Sequence, residues 1–254
     1  MRKCIVLLVF LISNILLAQT ADKLFENANS LYKEGKYIDA IKVYKQIESS
    51  KNVVCSEVYF NLANAYHKLH KVAPAIYNYE KALQLNPLNS DARNNLNIAK
   101  RLTLDRIEEL PLTFLQRINY NVLQKFTYNT WAVFVVILSF LASILVVLYY
   151  FSYTPSKKRV FFATSIISFL LLIITLSIAN FQYNQSKNKV EAIVFSEKMT
   201  VKNAPTNDAD RLFTLHEGTK ILVIDTVDNW NKIKLSDGKT GWVISSSVKL
   251  LHNY

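Results

Sequence analysis

The stretch Tyr59-Phe60-Asn61-Leu62-Ala63-Asn64-Ala65-Tyr66 has a partial copy 35 residues upstream, and that spacing decides the fold. Sliding the sequence on itself by 35 superimposes eight positions: Phe25/Phe60, Ala28/Ala63, Asn29/Asn64, Lys33/Lys68, Lys36/Lys71, Ala40/Ala75, Ile41/Ile76 and Tyr44/Tyr79. Small residues recur where two helices would touch, and aromatics where one helix pair would stack on the next. In the first copy Leu24, Ala28 and Leu31 fall at helical spacing, a turn follows at Glu34-Gly35-Lys36, and Ala40, Ile41, Tyr44 and Ile47 begin a second stripe. In the second, Tyr59, Leu62, Ala63 and Tyr66 are followed by Ala75, Ile76, Tyr79 and Ala82, and Asn86-Pro87 ends the helix. Paired amphipathic helices at this period are the signature of a helical solenoid.

These residues resemble the tetratricopeptide repeat. The second copy carries the likeness best, through residues 59–66 and then Ala75, Tyr79, Ala82 and Pro87. The first departs from it, with Asn27 at an expected leucine and no terminal proline. A third unit opens at Asp91-Ala92, continues through Asn95-Leu96 and Ile98-Ala99, and then dissolves, as a capping helix would. Residues 19–104 therefore read as about two repeats and a cap, near the minimum for a stable stack. The resemblance implies protein binding in a concave groove lined by the first helix of each pair. Mapped onto this chain, the groove comprises Phe25, Asn29, Tyr32 and Lys33, then Phe60, Asn64, His67 and Lys68, and Asn94 from the cap. Its asparagines suit a peptide backbone and its lysines suit acidic side chains. The family's carboxylate clamp needs a lysine where Phe25 and Phe60 stand, so capture of a chaperone C-terminus is not implied. The alternative for these two phenylalanines is packing between helices.

Composition bounds the rest. Half of the 254 residues are hydrophobic, and three long apolar runs carry much of that content. Only four glycines occur, which excludes glycine-rich phosphate loops. The net charge of +11 is not a nucleic-acid footprint, because much of it flanks the apolar runs. Arg2-Lys3 precede the run Cys4–Ala18, which has the length of a signal peptide core (residues 1–18). Cleavage after Ala18 and retention as an anchor both export the residues downstream of it. No charge separates Lys125 from Lys157 or Arg159 from Lys187, so residues 131–151 and 160–180 are each long enough to cross about 30 Å of hydrocarbon. The intervening loop 152–159 ends in Lys157-Lys158-Arg159, and the positive-inside bias places it in the cytoplasm. Residues 19–130 and 181–254 then lie on the far side. Between the repeats and the first span, residues 105–130 place Phe114, Leu115, Ile118, Val122, Leu123 and Phe126 on one helical face. That face fits either the membrane interface or the repeats.

After the linker 181–189 the pattern changes to short strands: Ala192–Val194, Met199–Val201, Lys220–Ile224, Trp230–Leu235 and Thr240–Val243, with Asp237-Gly238 as a hairpin turn. Residues 190–254 resemble the bacterial SH3-like domain, through Val201, Pro205, Leu215-His216-Glu217-Gly218-Thr219, Trp230, Lys232-Ile233, Asp237-Gly238 and Gly241-Trp242-Val243. Such barrels bind peptides or wall glycopeptides. Trp242, following Gly241 in a β-run, is expected in the core. Trp230, just after Asp228-Asn229, is expected to be the more exposed and to form any ligand face.

No catalytic, cofactor or metal constellation emerges. Cys55 is a single thiol without an obvious base beside it. His67 and His70 lack acidic or cysteine partners at ligand spacing, and His216 and His252 read as isolated. The chain is thus expected to be a non-enzymatic, multidomain membrane protein: an all-α tetratricopeptide repeat domain, a two-helix transmembrane hairpin and a small all-β SH3-like barrel. This order is similar to that of BatE-like Bacteroides aerotolerance proteins. The resemblance implies an inner-membrane complex with other Bat proteins, which carry von Willebrand A and further repeat domains. It also implies a MoxR-type ATPase system and a role in aerotolerance or envelope stress. Two functions are open from the residues: a scaffold that binds partners through its repeats, or an envelope sensor whose SH3-like domain grips peptidoglycan.

Overall fold

The computed structural model describes residues 21–49, 55–108 and 110–251. The segment read as a signal peptide, with Cys4, lies outside the described residues, as does His252. The chain divides into two compact units. One joins the N-terminal helices to the C-terminal strands, and the other is residues 111–190.

In the first unit, helix α1 covers 21–33 of the described residues, followed by α2 (Tyr37–Ser49), α3 (Ser56–Lys68), α4 (Val72–Leu85) and α5 (Ser90–Lys100). The recurring small residues and tyrosines are the core: Ala28, Ala63, Ala40, Ala75, Tyr44 and Tyr79 are fully buried. Alanine at the helix crossings lets the backbones approach, and each tyrosine fills the space beside them. The α1–α2 turn closes on Gly35, at φ 77°, with the Lys36 amide donating to Leu31 O at 2.9 Å. His70 occupies the equivalent left-handed position between α3 and α4, at φ 56°, so its place in the sequence is a turn position. Asn89 caps α5 by accepting from the Ala92 amide.

Seven strands complete this unit: β1 (Val190–Val194), β2 (Lys198–Lys202), β3 (Arg211–His216), β4 (Lys220–Val227), β5 (Trp230–Lys234), β6 (Thr240–Ile244) and β7 (Val248–Leu251). Their order in the sheet is β3-β2-β6-β5-β4-β1-β7. Sequence reading missed β3, whose polar residues interrupt the alternation, and β7, which has only four residues. Gly238, at φ 91°, makes the β5–β6 hairpin. Gly241 lets β6 cross close to β2, since a Cβ there would lie 2.4 Å from Val201 Cγ1.

The sheet packs on α4. Ile193 and Leu251 share one apolar cluster with Ile76, Tyr77 and Tyr79. Gly218, at φ 86°, fits against the helices so tightly that a Cβ would sit 2.8 Å from Thr103 Cγ2. The polar stripe of α4 is buried too. Glu80 lies between Lys220 Nζ at 2.8 Å and Lys100 Nζ at 2.9 Å, and Lys220 also reaches Glu191 at 2.8 Å. Tyr77 Oη donates to Leu250 O at 3.2 Å, and Lys249 Nζ lies 4.3 Å from the Tyr77 ring centroid. A second clasp holds the segment after α5. Asp105 accepts from the His216 amide (2.6 Å) and Thr219 Oγ1 (2.6 Å), and it lies 2.8 Å from His216 Nδ1. His216 is therefore not isolated; its partner lies 111 residues away in sequence.

The second unit holds α6 (Phe114–Asn121), α7 (Tyr128–Phe151) and α8 (Pro155–Asn188). Thr113 and Gln116 form a capping box at the start of α6. Helices α7 and α8 are long and apolar enough to cross a membrane. The 34 residues of α8 extend about 51 Å. Large apolar side chains stay uncovered along these helices: Val133, Phe140, Phe169 and Leu170 are 55%, 66%, 57% and 54% exposed.

Burial alone would push the Glu80 carboxyl up, but the Lys220 and Lys100 ammoniums overcome this and hold it at about 2. For Lys220, burial works downward, and Glu80 and Glu191 outweigh it to raise the ammonium. Glu80 has a depressed folded-state pKa, so its contribution is present above the ordinary value of 4.5 and lost as pH falls toward 2. Lys220 stays charged throughout that acidic window, so the change there comes from the carboxylate. Melting of the full chain in detergent should therefore fall off between these two pH values. Glu80→Gln should cost on the order of 3 kcal/mol at neutral pH and flatten that acid limb.

Candidate functional site

The inner face of α1, α3 and α5 forms a cleft of about 290 Å3, lined by Tyr32, Asn64, His67, Lys68, Asn95 and Ile98. Four of the nine residues assigned to the groove from sequence line it: Tyr32, Asn64, His67 and Lys68. Lys33 is exposed. Asn94 is exposed and does not line the cleft, whereas Asn95 does. Phe25 and Phe60 are half-buried, with ring centroids 6.2 Å from Tyr44 and Tyr79 respectively, so both pack between the helices of their repeats.

The two recurring asparagines are bound into the repeat framework. Asn29 Oδ1 accepts from Tyr44 Oη at 2.6 Å and from Asn61 Nδ2 at 2.9 Å. Asn64 Oδ1 accepts from Tyr79 Oη at 2.6 Å and from Asn95 Nδ2 at 2.9 Å. Each amide oxygen thus joins the second helix of its own repeat to the first helix of the next. This corrects the expectation that these side chains serve only the groove. Their Nδ2 groups make no hydrogen bond among the described residues and remain as donors. Burial raises the Tyr44 hydroxyl to about 12 and pushes Tyr79 up as well, so both stay protonated as donors. The relay was legible in principle, since Asn61 and Asn95 are 34 residues apart, but a slide of 35 does not align them.

A second surface lies on the outward face of the sheet. Alternation buries Asn231 and Ile233 in β5, and Gly241 and Val243 in β6. Trp230, Lys232 and Trp242 therefore point the other way. Trp242 is half-buried on that outer face rather than in the core, because Gly241 and Val243 take the inward positions. Trp230 is half-buried as well. Lys202 Nζ lies 5.6 Å from the Trp230 ring centroid and Lys232 Nζ 5.8 Å from that of Trp242. Lys202 also donates to the carbonyls of Thr206 and Asn207, which pins the β2–β3 loop over this face.

Two potential reactive groups have structural surroundings. The Cys55 thiol donates to Glu57 Oε2 at 2.6 Å, and burial followed by that carboxylate raises its pKa, away from thiolate chemistry. Burial pushes the Asp105 carboxyl up, and the hydrogen bonds from His216 and Thr219 more than offset it, for a net downward shift.

Comparison with protein families fits this geometry. Residues 56–89, spanning α3 and α4, match the tetratricopeptide repeat. Residues 198–249, from β2 into β7, match the bacterial SH3 domain. The chain thus carries a tetratricopeptide repeat and a bacterial SH3 domain, together with two helices long enough to span a bilayer. A comparison with curated proteins returned no match.

Asn64→Ala should act on stability, because it strips the acceptor from the buried Tyr79 hydroxyl. The expected loss is about 1–3 kcal/mol in a thermal or denaturant melt of the full chain. An unchanged melting curve would contradict the relay.

Proposed function

We propose that this protein is a non-enzymatic, membrane-anchored scaffold that captures partner proteins in the cleft of its repeats. The observation that carries this reading is the cleft itself. The sheet packs on the α4 side of the repeats, while the α1–α3–α5 face stays open, with amide donors, His67 and Lys68 around it. An amide-lined cleft with a cation suits an extended, acidic segment of a partner. Domain order extends the proposal by resemblance to a Bat-type complex of von Willebrand A and repeat-containing membrane proteins, with a MoxR-type ATPase and a link to aerotolerance or envelope stress.

The membrane arrangement follows from the first unit. The repeats and the sheet share a core, which supports placing both on one side of the bilayer. The intervening α7 and α8 supply two crossings, an even number, as that requires. Charge at Lys157-Lys158-Arg159 supports a cytoplasmic α7–α8 turn and a periplasmic folded unit. A second reading has support in the outward tryptophans. Trp230 and Trp242 offer stacking surface to a wall glycopeptide, which would make the SH3 domain a peptidoglycan-binding sensor.

Exported-phosphatase fusions should be active after Asn89 and at the C-terminus, and inactive at Pro155; silence at either outer site would sink the topology. Lys68→Glu tests the cleft. Lys68 is exposed and makes no ion pair among the described residues, so the substitution should leave melting unchanged. Capture of membrane partners by the intact protein should fall about tenfold, the size of one reversed charge contact. Capture that persists in this variant and is lost in Trp230→Ala, with wall fragments as the ligand, would favour the sensor.

A further inference from the structure

Residues 111–190 contain seven basic residues and no aspartate or glutamate. The cations stand at both ends of the α7–α8 pair: Lys157, Lys158 and Arg159 at the turn, and Arg117, Lys125, Lys187 and Lys189 at the other end. A topological bias accounts for cations at one end of a hairpin only. Those at the opposite end need another reason.

Local packing gathers them. Gln124 Nε2 meets Gln185 Oε1 at 3.5 Å, and the Tyr128 and Tyr183 rings lie 5.7 Å apart, edge to face. Lys125 and Lys187 flank this contact, and both are exposed. No carboxylate in the unit can neutralise them. At the same end α6 presents an apolar strip to solvent, with Phe114 75%, Val122 53% and Ile118 39% exposed. Arg117 borders that strip one turn after Phe114. A short helix with an apolar strip edged by long cations is the pattern of an element lying at headgroup depth. Its apolar strip would enter the acyl boundary while the cations stay among the phosphates.

We propose that α6, with Arg117, Lys125 and Lys187, forms a headgroup-level site for anionic phospholipid, whose phosphodiesters supply the charge the unit lacks. The proposal rests on α7 and α8 being spans. The site selects anionic over zwitterionic lipid at the end of the hairpin opposite Lys157-Lys158-Arg159.

The test uses the full chain in nanodiscs of phosphatidylcholine alone or mixed equally with phosphatidylglycerol, followed by native mass spectrometry of the lipid retained. The wild type should retain phosphatidylglycerol over phosphatidylcholine by about tenfold or more, and the preference should shrink with salt. Arg117→Gln combined with Lys125→Gln and Lys187→Gln should abolish the preference while the protein still incorporates. Equal retention of both lipids by the wild type overturns the site. So does a preference that survives this triple change and disappears only with Lys157→Gln, Lys158→Gln and Arg159→Gln. Failure to enter either nanodisc overturns the spanning reading, and the site with it; incorporation without preference overturns the site alone.

Discussion

The carboxylate of Glu80, held in the interior between Lys220 and Lys100, is the interaction on which the first unit depends. Burying a charge is expensive unless it is paired and hydrogen-bonded. Here the partners come from different parts of the chain. Lys100 ends α5, and Lys220 opens β4, 140 residues beyond Glu80. Glu191 then satisfies Lys220 from its other side. The network forms only when the helices and the sheet are already in register, so it specifies their docking more than it adds net stability. Stability comes from the apolar cluster around it, where Ile193 and Leu251 extend a core begun by Ile76, Tyr77 and Tyr79. Two repeats and a cap are a short stack, and a barrel of about 60 residues has a small core. Each is supported by surface borrowed from the other.

That shared core constrains the rest of the chain. The segment leaves the first unit at Leu110 and re-enters at Glu191. Both points are tied down within that unit: the Leu110 amide donates to Ser236 O at 3.2 Å, and Glu191 pairs with Lys220. Residues 111–190 are thus an insertion into the chain of one folded body. Exposed phenylalanine and leucine along the length of α7 and α8 would be costly in water, with about 25 cal/mol for each Å2 of apolar surface left uncovered. A bilayer removes that cost, because the helices satisfy their own backbone groups.

The sequence was legible where the physics is local or periodic. Ala28/Ala63, Ala40/Ala75 and Tyr44/Tyr79 recur because each repeat solves the same packing problem, and all six are fully buried. The apolar runs and the Gly238 hairpin are similarly local signals. What escaped was decided by contacts distant in sequence. Nothing local in the sequence marks Asn78, Glu80 and Lys81 as interior residues: Glu80 meets Lys220 of the sheet, and Lys81 meets Glu48 and Tyr59 of the neighbouring helices. His216 reads as isolated because Asp105 lies in a segment without periodicity. Trp242 reads as core because it follows Gly241 in a β-run, yet strand phase puts Gly241 and Val243 inside. Asn29 and Asn64 looked like groove residues because they recur, but recurrence equally marks a framework bond repeated with each unit. Among the cleft residues, Tyr32, Asn64, His67 and Lys68 follow from the repeat resemblance, and Asn95 stands one position past the expected Asn94.

The fixed docking also bears on how the two recognition surfaces can work together. A sensor needs an element with two arrangements whose balance shifts when ligand binds. The interface between sheet and repeats has the opposite character: a buried ion network, a shared apolar cluster, and a glycine with no room for a methyl group. Separating them would break the Glu80–Lys220 pair and return the apolar surface of Ile76, Tyr77, Ile193 and Leu251 to water, a cost that a modest ligand affinity does not supply. On the proposed reading, the cleft and the outward tryptophan face would be two docking surfaces on one body, and partners bound to them would be held at a set distance and orientation. This is the mechanical requirement of a scaffold, and it is why the structure supports that reading more strongly than signalling through movement of the SH3 domain.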